Sequence, residues 1–308
     1  MTSSEKRSWD DITFTSQDGL KLYARHYRSP DPAGKTRLPL LCLPGLTRNC
    51  KDFHRLAEFL SRKSESPRSV YCVDYRGRGW SESDSNWENY SPYIEMLDTL
   101  DFMSVTELHH AAILGTSRGG IIAMLMGVTR PGVMGPVILN DIGPVIEPRG
   151  LARIIGYVGR TPTPESWNDA ALIVRDMSSK FFTDLKDSDW ADIARQWFME
   201  DEGQPVTGYD VNLANTLSQV DLAQPIPQMW EQFDTLKHLP MLVLRGEHSD
   251  LLSEETVEAM TARHPQLQSY TVEAEGHPPL LRDKRSISRI DVFLSENDGF
   301  TSADVDTA

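Results

Sequence analysis

Cysteine is scarce. The chain has three in 308 residues, Cys42, Cys50 and Cys72, too few to suggest a disulfide-stapled fold. Cys42 and Cys72 sit inside short apolar runs, where a thiol acts as a small apolar side chain. Positive charge is also in deficit: Lys and Arg total 31 against 45 Asp and Glu, a net charge of −14. No basic run stands out, which argues against nucleic acid or an anionic membrane surface as a partner. Long hydrophobic runs are missing, since none approaches the ~20 residues that a membrane helix needs. Met1 to Arg7 leads into no apolar segment, so no secretory signal is expected and the cytoplasm is the expected location. There is no internal repeat. The histidines offer no metal site: His109 and His110 are adjacent and would point apart, and His26, His54, His238 and His264 are scattered.

What is present is a regular alternation of apolar segments. A hairpin is expected over 11–17 and 20–28, turned at Asp18-Gly19. Short apolar strands follow at 40–43, 70–73, 111–114 and 137–139, without the polar alternation of a half-exposed strand. Helical stretches lie between them at about 51–62 and 91–104, with another after Ser117. The pattern predicts a doubly wound α/β fold with a mostly parallel sheet of about eight strands. It pauses near residue 145 and resumes at Met241-Leu242-Val243-Leu244. A helix capped by Ser253 and stopped by Pro265, a strand at 268–273 and a helix carrying Ile287, Ile290 and Leu294 complete it.

Between the two parts, residues 146–235 read as all-helical, with Leu151/Ile154/Ile155/Val158 and Trp190/Ile193/Ala194/Trp197 at helical spacing. The expected organisation is a core domain of 1–145 and 236–295, a helical cap of 146–235 inserted into it, and a polar, disordered tail over 296–308.

The chemistry centres on Gly115-Thr116-Ser117-Arg118-Gly119-Gly120. A serine at a strand-to-helix corner, with glycines two before and two after, matches a nucleophile elbow. The turn strains the serine backbone and leaves no room for side chains at the flanking glycines. Acyl transfer by serine also requires a base, a carboxylate to orient it and two donors for the oxyanion. Residues of these types follow strand ends in the order serine, acid, base. Arg245-Gly246-Glu247-His248-Ser249-Asp250 offers Asp250, and Glu275-Gly276-His277-Pro278-Pro279 offers His277. Asp141, in Leu139-Asn140-Asp141-Ile142-Gly143-Pro144, also follows a strand end. Asp250 is preferred for its place in the order, while Asp141 is read as structural, as paired with a buried arginine, or as the acid itself. The oxyanion donors are expected to be the backbone N–H groups of Leu46 and Arg118.

These motifs, with Leu43-Pro44-Gly45-Leu46 and Asp74-Tyr75-Arg76-Gly77-Arg78-Gly79-Trp80-Ser81, make residues 10–295 resemble the capped α/β-hydrolase superfamily. Pro44-Gly45 stands where many members carry His-Gly, and Arg118 where Met, Leu, His or Gln is usual. The resemblance implies a cofactor-free hydrolase of a small-molecule carboxylic ester, with catalytic Ser117, Asp250 and His277 and no metal. The alternatives are a lactonase, a carbon–carbon bond hydrolase of aromatic degradation, and a non-catalytic small-molecule receptor. The Arg118 side chain is read as an ion-pair partner within the fold or as a holder of a substrate carboxylate. Arg76-Gly77-Arg78-Gly79 lacks the third glycine and the helix of a dinucleotide fingerprint. Trp167, Trp190, Trp197 and Trp230 are candidates for an apolar pocket above Ser117, the competing reading being that they pack the cap.

Overall fold

The computed structural model describes residues 7–32 and 37–300. The hairpin pairs β1 (Asp10–Thr15) with β2 (Lys21–Tyr27) around Gly19, whose positive φ suits the turn. Then come β3 (Leu40–Leu43), α1 (His54–Arg62), β4 (Val70–Asp74), α2 (Pro92–Val105), β5 (Ala111–Thr116), α3 (Arg118–Thr129) and β6 (Met134–Asn140). After an insert, β9 (Met241–Gly246), α9 (Glu254–Arg263), β10 (Leu267–Val272) and α10 (Lys284–Glu296) finish the fold. The eight strands lie in the order β1-β2-β4-β3-β5-β6-β9-β10, with β2 antiparallel to both its neighbours and the rest parallel.

The apolar runs work on both faces at once. Leu41, Leu43, Ile113, Leu139 and Val243 join a core with α2, α3 and α9, while Leu40, Cys42, Leu114, Ile138 and Leu244 join a second core with α1 and α10. Successive strand residues point to opposite faces, so a strand covered on both sides has no place for polar alternation. Each large side chain so buried contributes roughly 1.5–3 kcal/mol. Helix starts follow their caps. Ser91 accepts from the Ile94 N–H with Pro92 in the first turn, Ser253 accepts from Thr256, and Asp283 from Ser286.

The insert contains α4 (Pro148–Tyr157), α5 (Trp167–Ser178), α6 (Asp187–Trp197), β7 (Phe198–Asp201), β8 (Gln204–Thr207), α7 (Ala214–Ser218) and α8 (Trp230–Asp234). It departs from the all-helical expectation, because β7 and β8 form an antiparallel hairpin turned at Glu202-Gly203. Both turn residues have positive φ, as the type I′ hairpin turn requires. The insert has its own small core, which includes Val174, Phe182, Trp190, Ile193 and Phe198. Polar links fasten it to the sheet. Lys51 Nζ donates to the carbonyls of Arg195 (2.8 Å) and Phe198 (2.5 Å), Asn49 Nδ2 donates to that of Gln196 (3.2 Å), and Arg282 pairs with Asp189 at 2.7 Å.

The tail expectation is corrected in part. Phe300 N–H closes a turn onto Asn297, and Asp298 forms an ion pair with buried Arg68, so 297–300 are held against the body. Residues 301–308 lie outside the described residues. No helix among the described residues is long and apolar enough to cross a membrane.

Candidate active site

Ser117 occupies the corner between β5 and α3 with φ 50° and ψ −111°, a conformation that costs a non-glycine residue of order 1–3 kcal/mol. The flanking glycines leave the turn its space. A Cβ on Gly115 would stand 2.5 Å from the Gly119 carbonyl, and one on Gly119 would stand 2.1 Å from the Leu43 carbonyl oxygen. Neither neighbour is a side chain that could swing away, so both positions are closed to any other residue.

The Ser117 hydroxyl lies 2.9 Å from Nε2 of His277, and Nδ1 of His277 lies 2.7 Å from Oδ2 of Asp141. An ionised carboxylate only accepts, so the ring proton sits on Nδ1, and Nε2 is left with a lone pair for the serine hydroxyl. The imidazole can therefore take the hydroxyl proton while the carboxylate behind it steadies the resulting cation. Asp141 is fully buried and its backbone has φ 57°, in the left-handed region that aspartate tolerates. Both its oxygens are engaged: Oδ1 accepts the Gly246 N–H at 2.7 Å, and Oδ2 also accepts the Ser249 hydroxyl at 2.6 Å. Ser249 Oγ in turn accepts the N–H groups of Leu251 and Leu252, which pins the loop after β9.

This placement corrects the expectation for Asp250. Its two oxygens accept from Nε and Nη2 of Arg153 at 2.6 and 2.7 Å, a bidentate pair reaching across to α4. Burial pushes the Asp250 carboxyl up, but the Arg153 hydrogen bonds and charge outweigh it and hold the group below its ordinary range. The loops after β6 and β9 lie side by side, so both aspartates come near the imidazole, and the shorter reach belongs to Asp141. The signal for it was already in Asn140-Asp141, directly after a strand adjacent to β5. Ser249 and Arg153 carried no signal of their own.

A cavity of about 340 Å³ opens above Ser117. Its floor includes Gly45, Leu46, Thr116, Ser117, Asn140 and His277, and the insert adds Ile154, Tyr157, Phe181, Phe182 and Trp197. The turn at Pro44 to Thr47 passes over the serine: a Cβ on Gly45 would lie 3.9 Å from that of Ser117. Arg118 begins α3, where the first N–H groups have no partner within the helix. Its guanidinium is taken by Glu95 (2.7 Å) and the Tyr90 carbonyl (2.8 Å), and it does not line the cavity. The four tryptophans separate. Trp197 lines the cavity beneath the Arg48 guanidinium, whereas Trp190 is buried in the insert's core. Trp167 packs on that core under Arg195, and Trp230 packs on Phe233. Among the described residues, no group of three or more His, Cys, Asp or Glu is placed to hold a metal ion.

Residues 40–288 match the model of the alpha/beta hydrolase family. The chain belongs to the alpha/beta hydrolase family. It is similar to the crystal structure of an alpha/beta hydrolase from Novosphingobium aromaticivorans, with 35% identity, a TM-score of 0.86, and coverage of 94% of this chain and 99% of that one. A putative hydrolase from Rickettsia typhi shares 23% identity at a TM-score of 0.80, over 94% of this chain and 99% of that one, a likeness of fold alone. Among curated proteins, a 3-hydroxybutyrate-oligomer hydrolase of Cupriavidus necator is 29% identical over 294 residues, 91% of this chain and 95% of that protein. An alpha/beta hydrolase with hydrolase relatives over nearly its whole length is a hydrolytic enzyme, and its sheet carries the family's mostly parallel eight-stranded order.

Proposed function

We propose that this hydrolase cleaves a small carboxylic ester through a covalent acyl-enzyme, with Ser117 as nucleophile, His277 as general base and acid, and Asp141 orienting the imidazole. The observation that carries the reading is the unbroken path Ser117 Oγ–His277 Nε2, His277 Nδ1–Asp141 Oδ2, at 2.9 and 2.7 Å. Ser117 attacks the ester carbonyl as its proton passes to Nε2. The N–H groups of Leu46 and Arg118 receive the oxyanion, and collapse returns the proton to the leaving alkoxide. Water, activated by the same imidazole, then releases the acid. The insert over 146–235 serves as a cap that walls the acyl side of the cavity with Ile154, Tyr157 and Phe182.

The likeness to an enzyme of 3-hydroxybutyrate oligomers supports a short hydroxyacyl ester as the substrate, and a cavity of about 340 Å³ suits an acyl group of that size. The test is kinetic and chemical. Ser117→Ala should lower turnover of p-nitrophenyl butyrate by about 10⁴-fold or more without a fall in melting temperature. A fluorophosphonate should label Ser117 in the native enzyme. Hydroxybutyrate dimer and trimer should outcompete long-chain esters, lactones and a ring-fission dienone in a substrate panel. A Ser117→Ala variant as active as the parent would sink the reading.

A further inference from the structure

Three charges, two of them wholly buried, lie beneath the elbow, and the proton path uses none of them. Glu95, on α2, is completely buried. Its Oε2 accepts from Nε of Arg118 at 2.7 Å, and its Oε1 lies 2.7 Å from Nη2 of Arg78 in an ion pair. Arg118 Nη2 also donates to the Tyr90 carbonyl. Arg78 Nε donates to the carbonyl of Leu46 at 2.9 Å, and its Nη1 to that of Arg76 at 2.6 Å. One carboxylate therefore links the residue after the serine to the guanidinium that anchors Leu46, and these two residues supply the proposed oxyanion donors.

The charges do not cancel. Two guanidiniums face one carboxylate. The neighbouring Arg76 is held by Asp98, Asp84 and Asp18, an adjoining group in which three carboxylates outnumber one guanidinium. Burial works to raise the Glu95 carboxyl, yet the Arg118 and Arg78 charges outweigh it and hold the group below its ordinary range, so it is ionised. Counted by themselves, Glu95, Arg78 and Arg118 keep one surplus positive charge, and it lies on the side of the residue-118 peptide. Arg78 is wholly enclosed and the Arg118 side chain is 12% exposed, so water screens that charge weakly.

We propose that Arg118, held by Glu95, is a positioning residue for ester hydrolysis: it steadies the residue-118 peptide and, with Arg78, sets positive charge behind the forming oxyanion. This rests on the reading of Ser117 as the nucleophile. A neutral ester gains little from the surplus charge, whereas the tetrahedral oxyanion gains fully, so the effect falls on kcat and leaves KM nearly alone.

The experiment compares Arg118→Gln, Arg118→Met and Arg118→Lys by steady-state kinetics on p-nitrophenyl butyrate. It also measures inhibition by an alkyl trifluoromethyl ketone, whose adduct on serine carries the oxyanion. For the two neutral variants, kcat should fall roughly 10–100-fold with KM within about threefold, and ketone affinity should fall by the same factor as kcat. The Lys variant keeps the charge and should stay within about fivefold of the parent in both. Neutral variants with parental kcat and ketone affinity overturn the proposal. So does a Lys variant that melts like the parent yet loses 100-fold, and this arm decides the matter should the neutral variants fail to fold. A serine labelled by fluorophosphonate alongside fully active Arg118 variants overturns only this inference; an unlabelled serine overturns the ester reading instead.

Discussion

Asp141 and Asp250 stand on neighbouring loops, after β6 and β9, and each has both carboxylate oxygens engaged. What separates them is the partner. Asp141 meets an imidazole, two further donors that fix its direction, and complete burial. Asp250 meets a permanent cation on the insert. A carboxylate already neutralised by a bidentate guanidinium gains little from a transient imidazolium, while one that faces no permanent cation gains a great deal. Position after a strand end is therefore not enough to assign a role; the charge of the neighbour decides.

The comparison breaks most sharply at the first aspartate. Asp141→Asn should lower kcat by about 10³–10⁴-fold in ester assays, because an amide at this place no longer enforces the proton on Nδ1. Asp250→Asn in the same assay should stay within about threefold. Reversal of that ranking would return the acid's role to the loop after β9. Ser249→Ala removes one donor to Asp141 and should cost kcat about 3–30-fold, with KM little changed. For Asp250→Asn the loss shows in stability instead. Calorimetry should record a drop of about 1–3 kcal/mol as Arg153 is left without its partner, and Arg153→Met with Asp250→Asn together should recover part of it.

The smallest effect concerns Glu275, two residues from the imidazole. Burial pushes its carboxyl up from 4.5 to about 7, offset in part by the Leu280 N–H that it accepts. A raised carboxyl favours folding in its protonated form. Its contribution is thus complete below pH 4.5 and is lost as pH rises through about 7. Glu275→Gln keeps the acceptor without the charge, so its stability should decline less over that interval and exceed the parent's by about 1–2 kcal/mol at pH 8. Parallel stability curves for the two proteins would contradict the burial argument.

The sheet was readable because its signals are local. Runs such as Leu40 to Leu43 are buried on two faces, and the elbow glycines answer a steric demand within five residues. Which of two strand-end aspartates meets the imidazole was less readable: both were candidates, and the choice turns on Arg153, which is 97 residues from Asp250 in the chain. The hairpin of β7 and β8 escaped for a different reason. The helical period of Trp190, Ile193 and Trp197 runs straight into it, and its one local marker is Glu202-Gly203. Of the tryptophans, composition showed their concentration in the insert but not the way they face, because an indole serves equally well in a core and on a cavity wall.

The hydrogen-bonded path from Ser117 to Asp141 is drawn entirely from loops that follow strands of the sheet, while Arg153, Tyr157, Phe181 and Trp197 reach the cavity from the insert. The proposed machinery and its mould are thus written in separate stretches of the sequence. Recombination between relatives at residues 146 and 235 would exchange one mould for another and leave Ser117, His277 and Asp141 in place.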